Sequence, residues 1–144
     1  MLVSQILKEK DIEGVLTVAP GTSVSEAAQI LSERRIGALI IAEDGASPLG
    51  IITERDIVRE LGKRGGGCLG DAVDDLMTRE IISCVPGDRA LRVLQLMTEG
   101  RFRHMPVMDG DKLIGMVSIG DVVKGRLQEL AAQNESLKAM IMGY

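Results

Sequence analysis

One short motif occurs twice in the chain and carries its most distinctive chemistry. It reads glycine, two apolar residues, serine or threonine, two variable residues and aspartate, at Gly50–Asp56 and Gly115–Asp121. A hydroxyl at a strand end, with a carboxylate three residues later on the first turn of a helix, forms a small polar pocket. The helix N-terminus offers unpaired N–H groups to a phosphate, and a carboxylate can accept hydrogen bonds from two ribose hydroxyls. The motif therefore points to a nucleotide.

The same residues also suit a purely structural role. Thr53 and Ser118 are favoured N-cap residues, and the helix dipole favours Asp56 and Asp121 in a first turn. An internal duplication copies caps as well as binding sites, so the second copy strengthens the ligand interpretation and leaves the capping interpretation open.

The motif belongs to a larger internal duplication. The pair Pro20-Gly21 recurs as Pro86-Gly87, and each pair precedes apolar residues at helical spacing. We expect Ser23 and Glu26 to form a capping box on the first helix and Asp88 to be the N-cap of the second. The predicted buried faces are Val24, Ala27, Ala28 and Leu31 in the first copy, and Ala90, Val93, Leu94 and Met97 in the second.

Strand patterns follow each of these helices. Strands are predicted at 37–42 and 49–53, and again at 104–108 and 113–118, with turns at 43–45 and 109–110 between them. Second helices then begin at Thr53 and Ser118, in nearly the same register of the repeat. Each half is thus a strand, helix, strand, strand, helix unit of about 60 residues. A domain of this size buries too little surface to be more than marginally stable alone, so the halves should pack together.

The glycine-rich and basic stretch near 61–70 separates the halves. We expect a flexible link between the halves. The alternative is a functional one, in which this stretch is a short RGG-like segment that binds nucleic acid. The predicted divisions are 1–62 for the first half, 63–70 for the link, 71–127 for the second half, and 128–144 for a C-terminal helix.

Composition excludes several functions. The 144 residues carry a net charge of -4, and Phe102 and Tyr144 are the only aromatic residues. An acidic chain with so few rings does not suit nucleic acid. One histidine and the separated Cys68 and Cys84 do not form a metal or disulfide framework, and no activated nucleophile is evident, so we expect neither a bound metal nor an enzyme. The absence of a signal peptide and of a long apolar run predicts a cytoplasmic protein with reduced thiols and no membrane contact.

The C-terminal stretch has heptad spacing that includes one polar residue. Asn in such a seam would fix the register between two chains and so suggests a homodimer, whereas a helix packed on its own module is the alternative. The residues in steps of four and three are Val123, Leu127, Leu130, Asn134, Leu137 and Ile141.

Taken together, the two halves resemble the motifs of a CBS-domain pair, or Bateman module, over nearly the whole chain. The strings that carry the resemblance are Gly50-Ile-Ile-Thr-Glu-Arg-Asp56, Asp75-Leu-Met-Thr78, Arg103-His-Met-Pro-Val107 and Gly115-Met-Val-Ser-Ile-Gly-Asp121. The resemblance implies an α+β fold of two pseudo-twofold-related motifs packed through their sheets, with two clefts for adenosine-type ligands. It also implies a homodimer that regulates an unidentified protein. No obligatory cofactor is implied; the ligand would be AMP, ADP, ATP, NAD(H) or S-adenosylmethionine.

The resemblance assigns residues to each cleft by position. The second cleft would use Ser118 and Asp121 for ribose and phosphate, Arg103 and His104 near the phosphates, and Thr17, Ile36, Gly37 and Met116 around the base. The first cleft would use Thr53, Asp56 and Arg55 in the polar roles, with Ser83, Phe102, Ala38 and Ile51 near the base.

Two differences between the copies predict unequal sites. Glu54-Arg55 in the first copy becomes Ile119-Gly120 in the second, and Arg103 with His104 replaces Gly37 with Ala38. For His104 a structural hydrogen bond to the backbone is the alternative to a ligand contact. For the whole chain, a structural adaptor that dimerises and has vestigial clefts is the alternative to a nucleotide sensor.

Overall fold

The computed structural model describes residues 1–10, 17–134 and 140–143. The chain divides into two compact units. The first unit contains the described residues from 17 to 81, together with Gly110–Ile114. The second contains residues 1–10, Ile82–Asp109 and the described residues from Gly115 onward. Each unit mixes helices with a small sheet, which confirms the predicted α+β class.

The elements follow the predicted order within each repeat. In chain order they are α1 (Val3–Glu9), β1 (Thr17–Val18), α2 (Val24–Arg34), β2 (Ala38–Ile41), β3 (Gly50–Thr53), α3 (Glu54–Arg64), a 3-10 helix (Gly65–Gly70), α4 (Val73–Leu76), α5 (Ala90–Gly100), β4 (His104–Asp109), β5 (Lys112–Ser118) and α6 (Ile119–Ala132).

A three-stranded sheet organises the first unit. Strand β2 lies in the centre, parallel to β1 and antiparallel to β3, with Ala38 opposite Thr53. All four residues of β2 are buried, as expected of a continuous aliphatic strand covered on both faces. Helix α2 contributes the predicted Val24, Ala27 and Leu31 to the core. The Ser23 hydroxyl caps this helix by accepting the Glu26 N–H at 3.1 Å, which is one of the two bonds expected of a capping box.

The second unit repeats this plan with a sheet of two strands rather than three. Strands β4 and β5 form a hairpin, and Cys84 makes an isolated parallel bridge with Val107. The offset that relates Pro20 to Pro86 also relates the Val18–Ile41 pair of the first unit to this bridge, so the bridge occupies the place of β1. The core combines Val93 and Met97 of α5 with residues of both strands and of α1.

The two short helices α1 and α4 each pack in the unit that is built mainly from the other repeat. Helix α1 precedes the first repeat but packs in the second unit, where the Val3 N–H donates to Asp88 O at 2.9 Å. Helix α4 opens the second repeat but packs in the first unit, where the Val73 N–H donates to Thr22 O at 2.8 Å. The boundaries of the compact units therefore differ from the predicted sequence divisions. The predicted divisions describe the internal sequence repeat and not the units that pack together.

The prediction that Asp88 caps α5 is wrong. The N-cap is Arg89, whose side chain makes no capping bond. The Asp88 carboxylate instead accepts the Val85 N–H at 2.9 Å, one turn earlier. Asp88 lies one residue too far from the helix and closes the preceding turn.

The stretch predicted as a flexible link is helical. Helix α3 continues to Arg64, and the 3-10 helix that follows buries Cys68. Arg64 donates to Glu60 at 2.7 Å and also pairs with Asp71. Basic residues at 63 and 64 lie where a helix C-terminus favours positive charge, so the composition that suggested a linker instead ends a helix.

The heptad pattern of the C-terminal stretch extends past helix α6. This helix ends at Ala132, so Asn134 lies beyond it, and residues 140–142, with Ile141, are again helical. Leu137 and Tyr144 lie outside the described residues. Val123, Leu127 and Leu130 are exposed at 38%, 44% and 38%, while Val122, Gly125 and Ala131 are buried. The heptad positions of α6 thus lie on the face away from the unit's own core.

Helices α2 and α5 both end at an arginine in the left-handed region, Arg35 at φ 54° and Arg101 at φ 56°. We expect Arg101→Gly to raise the free energy of unfolding by about 1 kcal/mol, because glycine avoids the Cβ penalty there. Arg92→Gly, at an exposed helical position of α5, is the matched control and should lower it by about 1 kcal/mol. Urea unfolding measures both, and a loss of stability in Arg101→Gly would show that the arginine side chain makes a compensating contact.

Candidate functional site

The second junction, Gly115–Asp121, connects β5 to α6 through a reciprocal pair of hydrogen bonds. Ser118 is the N-cap, and its hydroxyl accepts the Asp121 N–H at 3.1 Å. The Asp121 carboxylate accepts the Ser118 N–H at 2.9 Å through Oδ2. Both bonds are those of a capping box. The half-buried hydroxyl and carboxylate are therefore held side by side at the start of the helix.

The first junction, Gly50–Asp56, repeats this geometry between β3 and α3. The Thr53 hydroxyl accepts the Asp56 N–H at 3.2 Å, and Asp56 Oδ2 accepts the Thr53 N–H at 2.9 Å. Oδ1 of Asp56 has one long contact, 3.4 Å, from the exposed Arg59 of the same helix. The structure therefore brings together the two polar residues predicted for each site, in the same arrangement in both units.

The glycine of each motif is required by close packing. A side chain on Gly50 would collide with Met77, which follows α4. A Cβ on Gly115 would lie 2.8 Å from Leu7 Cδ2 of α1. Leu7 of α1 and Met77, which follows α4, thus pack against the two motif glycines and hold the strand ends in place.

Lys10 adds a charge to the second junction. It follows α1, and its ammonium donates to Asp121 Oδ2 at 2.8 Å and to Met116 O at 2.7 Å. Burial would raise the pKa of the Asp121 carboxyl. Hydrogen bonds from Lys10 and from the Ser118 N–H, with the positive charge of Lys10, outweigh burial and hold this pKa below its usual value.

The remaining predicted residues of the second unit surround β4 and β5. The carbonyl of the exposed Arg103 accepts the Ile119 N–H at 2.8 Å, which attaches the start of β4 to the start of α6. His104 and Met116 are half-buried on β4 and β5. Ser83 is exposed, and the half-buried Phe102 packs against the core of this unit.

The first unit contains the other predicted residues. The Gly37 carbonyl accepts the Glu54 N–H at 3.0 Å, matching the bond at Arg103 in the second unit. Arg55 lies in an open groove along α3 with Glu54, Val58 and Arg59. Thr17 and Ile36 are half-buried, and Ala38 and Ile51 are buried. Thr17, Ile36 and Gly37 thus belong to a different unit from Ser118, so the composition of each whole cleft remains a prediction.

Sequence reasoning missed Lys10. In the sequence it appeared only as one of the charges that interrupt the apolar N-terminus. The signal was available in the repeat, because Val3 and Val73 are equivalent buried positions at the starts of α1 and α4, and the same offset makes Leu7 equivalent to Met77. That alignment places Leu7 against Gly115 as Met77 lies against Gly50, and Lys10 follows Leu7 by three residues.

Asp121→Asn should flatten the loss of stability in acid. Below about pH 4 the unfolded chain binds a proton at Asp121 that the folded chain does not, so the parent loses unfolding free energy as the pH falls. Asparagine cannot titrate and removes this contribution. Urea unfolding from about pH 7 to pH 3 measures the effect, and Asp111→Asn on an exposed turn is the matched control. Equal acid slopes in the parent and Asp121→Asn would contradict the role given to the ion pair.

No helix among residues 1–10, 17–134 and 140–143 is long and apolar enough to cross a membrane. A family model described as the CBS domain matches residues 4–63 and 73–127. The chain is 38% identical over 125 residues to CBS domain-containing protein CBSX3, mitochondrial, of Arabidopsis thaliana. That match covers 84% of this chain and 61% of the plant protein, so the chain spans less than two thirds of that relative.

Solved structures show the same fold. The CBS-domain containing protein ATU1752 from Agrobacterium tumefaciens superposes with a TM-score of 0.83 at 37% identity, covering 88% of this chain and 99% of that one. CBSX2, solved in complex with AMP, gives 0.70 at 28% identity, covering 88% and 96%. The CBS domain pair of protein MJ0100, solved with 5-methylthioadenosine and S-adenosyl-L-methionine, gives 0.74 at 26%, covering 86% and 94%.

Each family match contains one capped junction, and together the matches span most of the chain. The protein therefore belongs to the CBS domain family, as a pair of CBS domains.

Proposed function

We propose that this CBS pair is a regulatory module that binds an adenine nucleotide at its two junctions. The observation that carries the proposal is the hydroxyl and carboxylate pair, held in the same geometry by Thr53 with Asp56 and by Ser118 with Asp121. Solved CBS pairs above 25% identity that hold AMP or S-adenosyl-L-methionine support the ligand class. The ligand most directly supported is AMP, with ATP, NAD(H) and S-adenosylmethionine as related candidates.

Capping and ligand binding are compatible at these residues. An ionised carboxylate has about four lone-pair positions. In each junction the capping bond to the N-cap N–H uses Oδ2 of the aspartate. Acceptor capacity therefore remains for ribose hydroxyls, and the N-terminus of the helix that begins there favours a phosphate. The capping interpretation explains the local structure without excluding a ligand.

Two observations on the described residues support binding rather than catalysis. Burial raises the pKa of the Cys84 thiol to about 12, so this cysteine is not a thiolate nucleophile at neutral pH. Among the described residues, no group of three or more His, Cys, Asp or Glu is arranged to hold a metal. We therefore propose binding without turnover, in which the ligand changes the chain's affinity for a partner through its differential affinity for two states.

The proposal includes a reducing compartment as the protein's location. Cys68 and Cys84 are free and buried, which is compatible with a reducing compartment such as the cytoplasm.

Asparagine substitutions should separate binding from capping. Asp56→Asn and Asp121→Asn each retain an oxygen for the N-cap N–H but lose an acceptor for the ribose diol, so each should weaken AMP binding at its own junction by about tenfold or more. Saturating AMP, at about a hundred times the dissociation constant, should add about 2.7 kcal/mol to the parent's stability. Isothermal titration and thermal unfolding measure these effects.

Glu99→Gln, an exposed change outside both junctions, is the control for charge and should bind AMP like the parent. If AMP, ATP, NAD(H) and S-adenosylmethionine all fail to shift the unfolding temperature, the sensor proposal is wrong and the structural adaptor takes its place.

We also propose that α6 mediates a homodimer. Its exposed stripe of Val123, Leu127 and Leu130 is apolar and lies opposite the residues that α6 buries in its own unit. Leu127→Glu places a charge in that stripe and should convert the dimer to a monomer, because an unpaired buried charge is costly. Lys124→Glu, at an exposed position on the same helix, is the matched control. Sedimentation velocity measures the change, and a parent that is monomeric at all concentrations would contradict the proposal.

A further inference from the structure

Lys10 contacts one oxygen, Oδ2, of the carboxylate on which ligand binding at the second junction would depend. Its ammonium lies 2.8 Å from Asp121 Oδ2, and both side chains are mostly covered, with 23% and 26% of their surfaces exposed. The lysine is held in place at two points, because α1 is anchored in the core by Val3 and Ile6 and the ammonium also bonds Met116 O at 2.7 Å. This ion pair is thus less screened by solvent than an exposed surface pair.

In the first unit a different group hydrogen-bonds to the residue after the motif glycine. There the backbone of Thr78 pairs with Ile51, with an N–H to O distance of 2.9 Å in one direction and 3.0 Å in the other. Ile51 and Met116 are equivalent, because each follows the motif glycine. In the second unit α1 remains helical to Glu9, and the Lys10 side chain supplies the hydrogen bond to the Met116 carbonyl. The lysine therefore replaces a backbone bridge and at the same time brings a positive charge to Asp121.

The sequence equivalence sharpens the contrast. With the offset that relates Val3 to Val73, Lys10 corresponds to Glu80, an exposed residue of the same sign as Asp56. The only cation contact that Asp56 makes in the described part of the chain is the 3.4 Å contact with Arg59, whose side chain is 61% exposed. One junction is thus paired with a tethered cation, and the other has a weak contact from an exposed surface side chain.

We infer that Lys10 competes with ligand for Asp121 and makes the second junction the weaker of two unequal binding sites. This inference rests on the proposed function and adds the residue that sets the order in which the junctions fill. A ribose diol donates hydrogen bonds to the carboxylate, so it must displace the ammonium or share the carboxylate with it. The first junction, without such a cation, binds the same ligand at lower concentration.

The test measures AMP binding by isothermal titration in the Asp56→Asn background, where the first junction is weakened, and fits a separate affinity to each junction, so that the change in the second junction is measured directly. Adding Lys10→Met removes the charge and keeps much of the aliphatic stem, and it should tighten AMP binding about tenfold, the effect of losing a charged hydrogen-bonded competitor. Lys10→Arg keeps the charge and should bind AMP like the background. Lys8→Met, an exposed lysine on the same helix, is the control for net charge and should also leave binding unchanged.

A second measurement uses the unaltered chain and so does not depend on how the variants fold. The ¹⁵N resonance of the Lys10 ammonium is followed during AMP titration, and it should shift in the later of two binding phases. Unchanged or weaker binding in Lys10→Met, or a Lys10 resonance that does not move as the second junction saturates, would overturn this inference and leave the proposed function intact. Failure of AMP, ATP, NAD(H) and S-adenosylmethionine alike to bind the parent chain would overturn both.

Discussion

The hydrogen bond from an N-cap N–H to the carboxylate three residues later fixes the geometry of both junctions. At Ser118 and Asp121, as at Thr53 and Asp56, this bond and its reciprocal hold the end of a strand against the first turn of a helix. The position of the helix start, the direction of the carboxylate and the exposure of the first helical N–H groups all follow from it. A site for a phosphorylated ribose needs these same three features, so the structural and functional roles of the aspartate have one physical origin.

The packing around this bond shows how one duplicated motif can produce two different sites. The motif glycine allows a neighbouring side chain to approach, Met77 in the first unit and Leu7 in the second. After that shared contact the two segments diverge, because α4 ends at Leu76 whereas α1 runs to Glu9. A difference of about one helical turn determines whether a backbone or a lysine side chain reaches the carbonyl after the glycine. The asymmetry between the sites thus arises from a change in helix length rather than from a change in the motif.

Most of the fold was accessible from the sequence because local signals and burial agree there. The apolar spacing in α2 and α5, the aliphatic run of β2, the short apolar stretch of β4, and Ser/Thr at the junctions each predicted the correct element. The failures are of another kind. Asp88 and the stretch through Gly65–Gly70 have composition that suits two local structures, and a hydrogen bond to Val85 or the burial of Cys68 decides between them. Lys10 bonds Asp121, which lies near the other end of the chain, and no local pattern encodes such a contact.

The packing of α1 in the second unit determines the order in which the chain can fold. Val3 and Ile6 belong to the same core as Val93, Met105 and Val122, so that core cannot close until the N-terminal segment has met segments from the second half of the chain. During synthesis the hydrophobic core of the first unit can form once the segment through α4 has been made, whereas α1 must wait for the later segments with its apolar face uncovered. Closing so long a loop is slow, and loss of residues near the N-terminus would weaken the unit that is distant in sequence and spare the adjacent one.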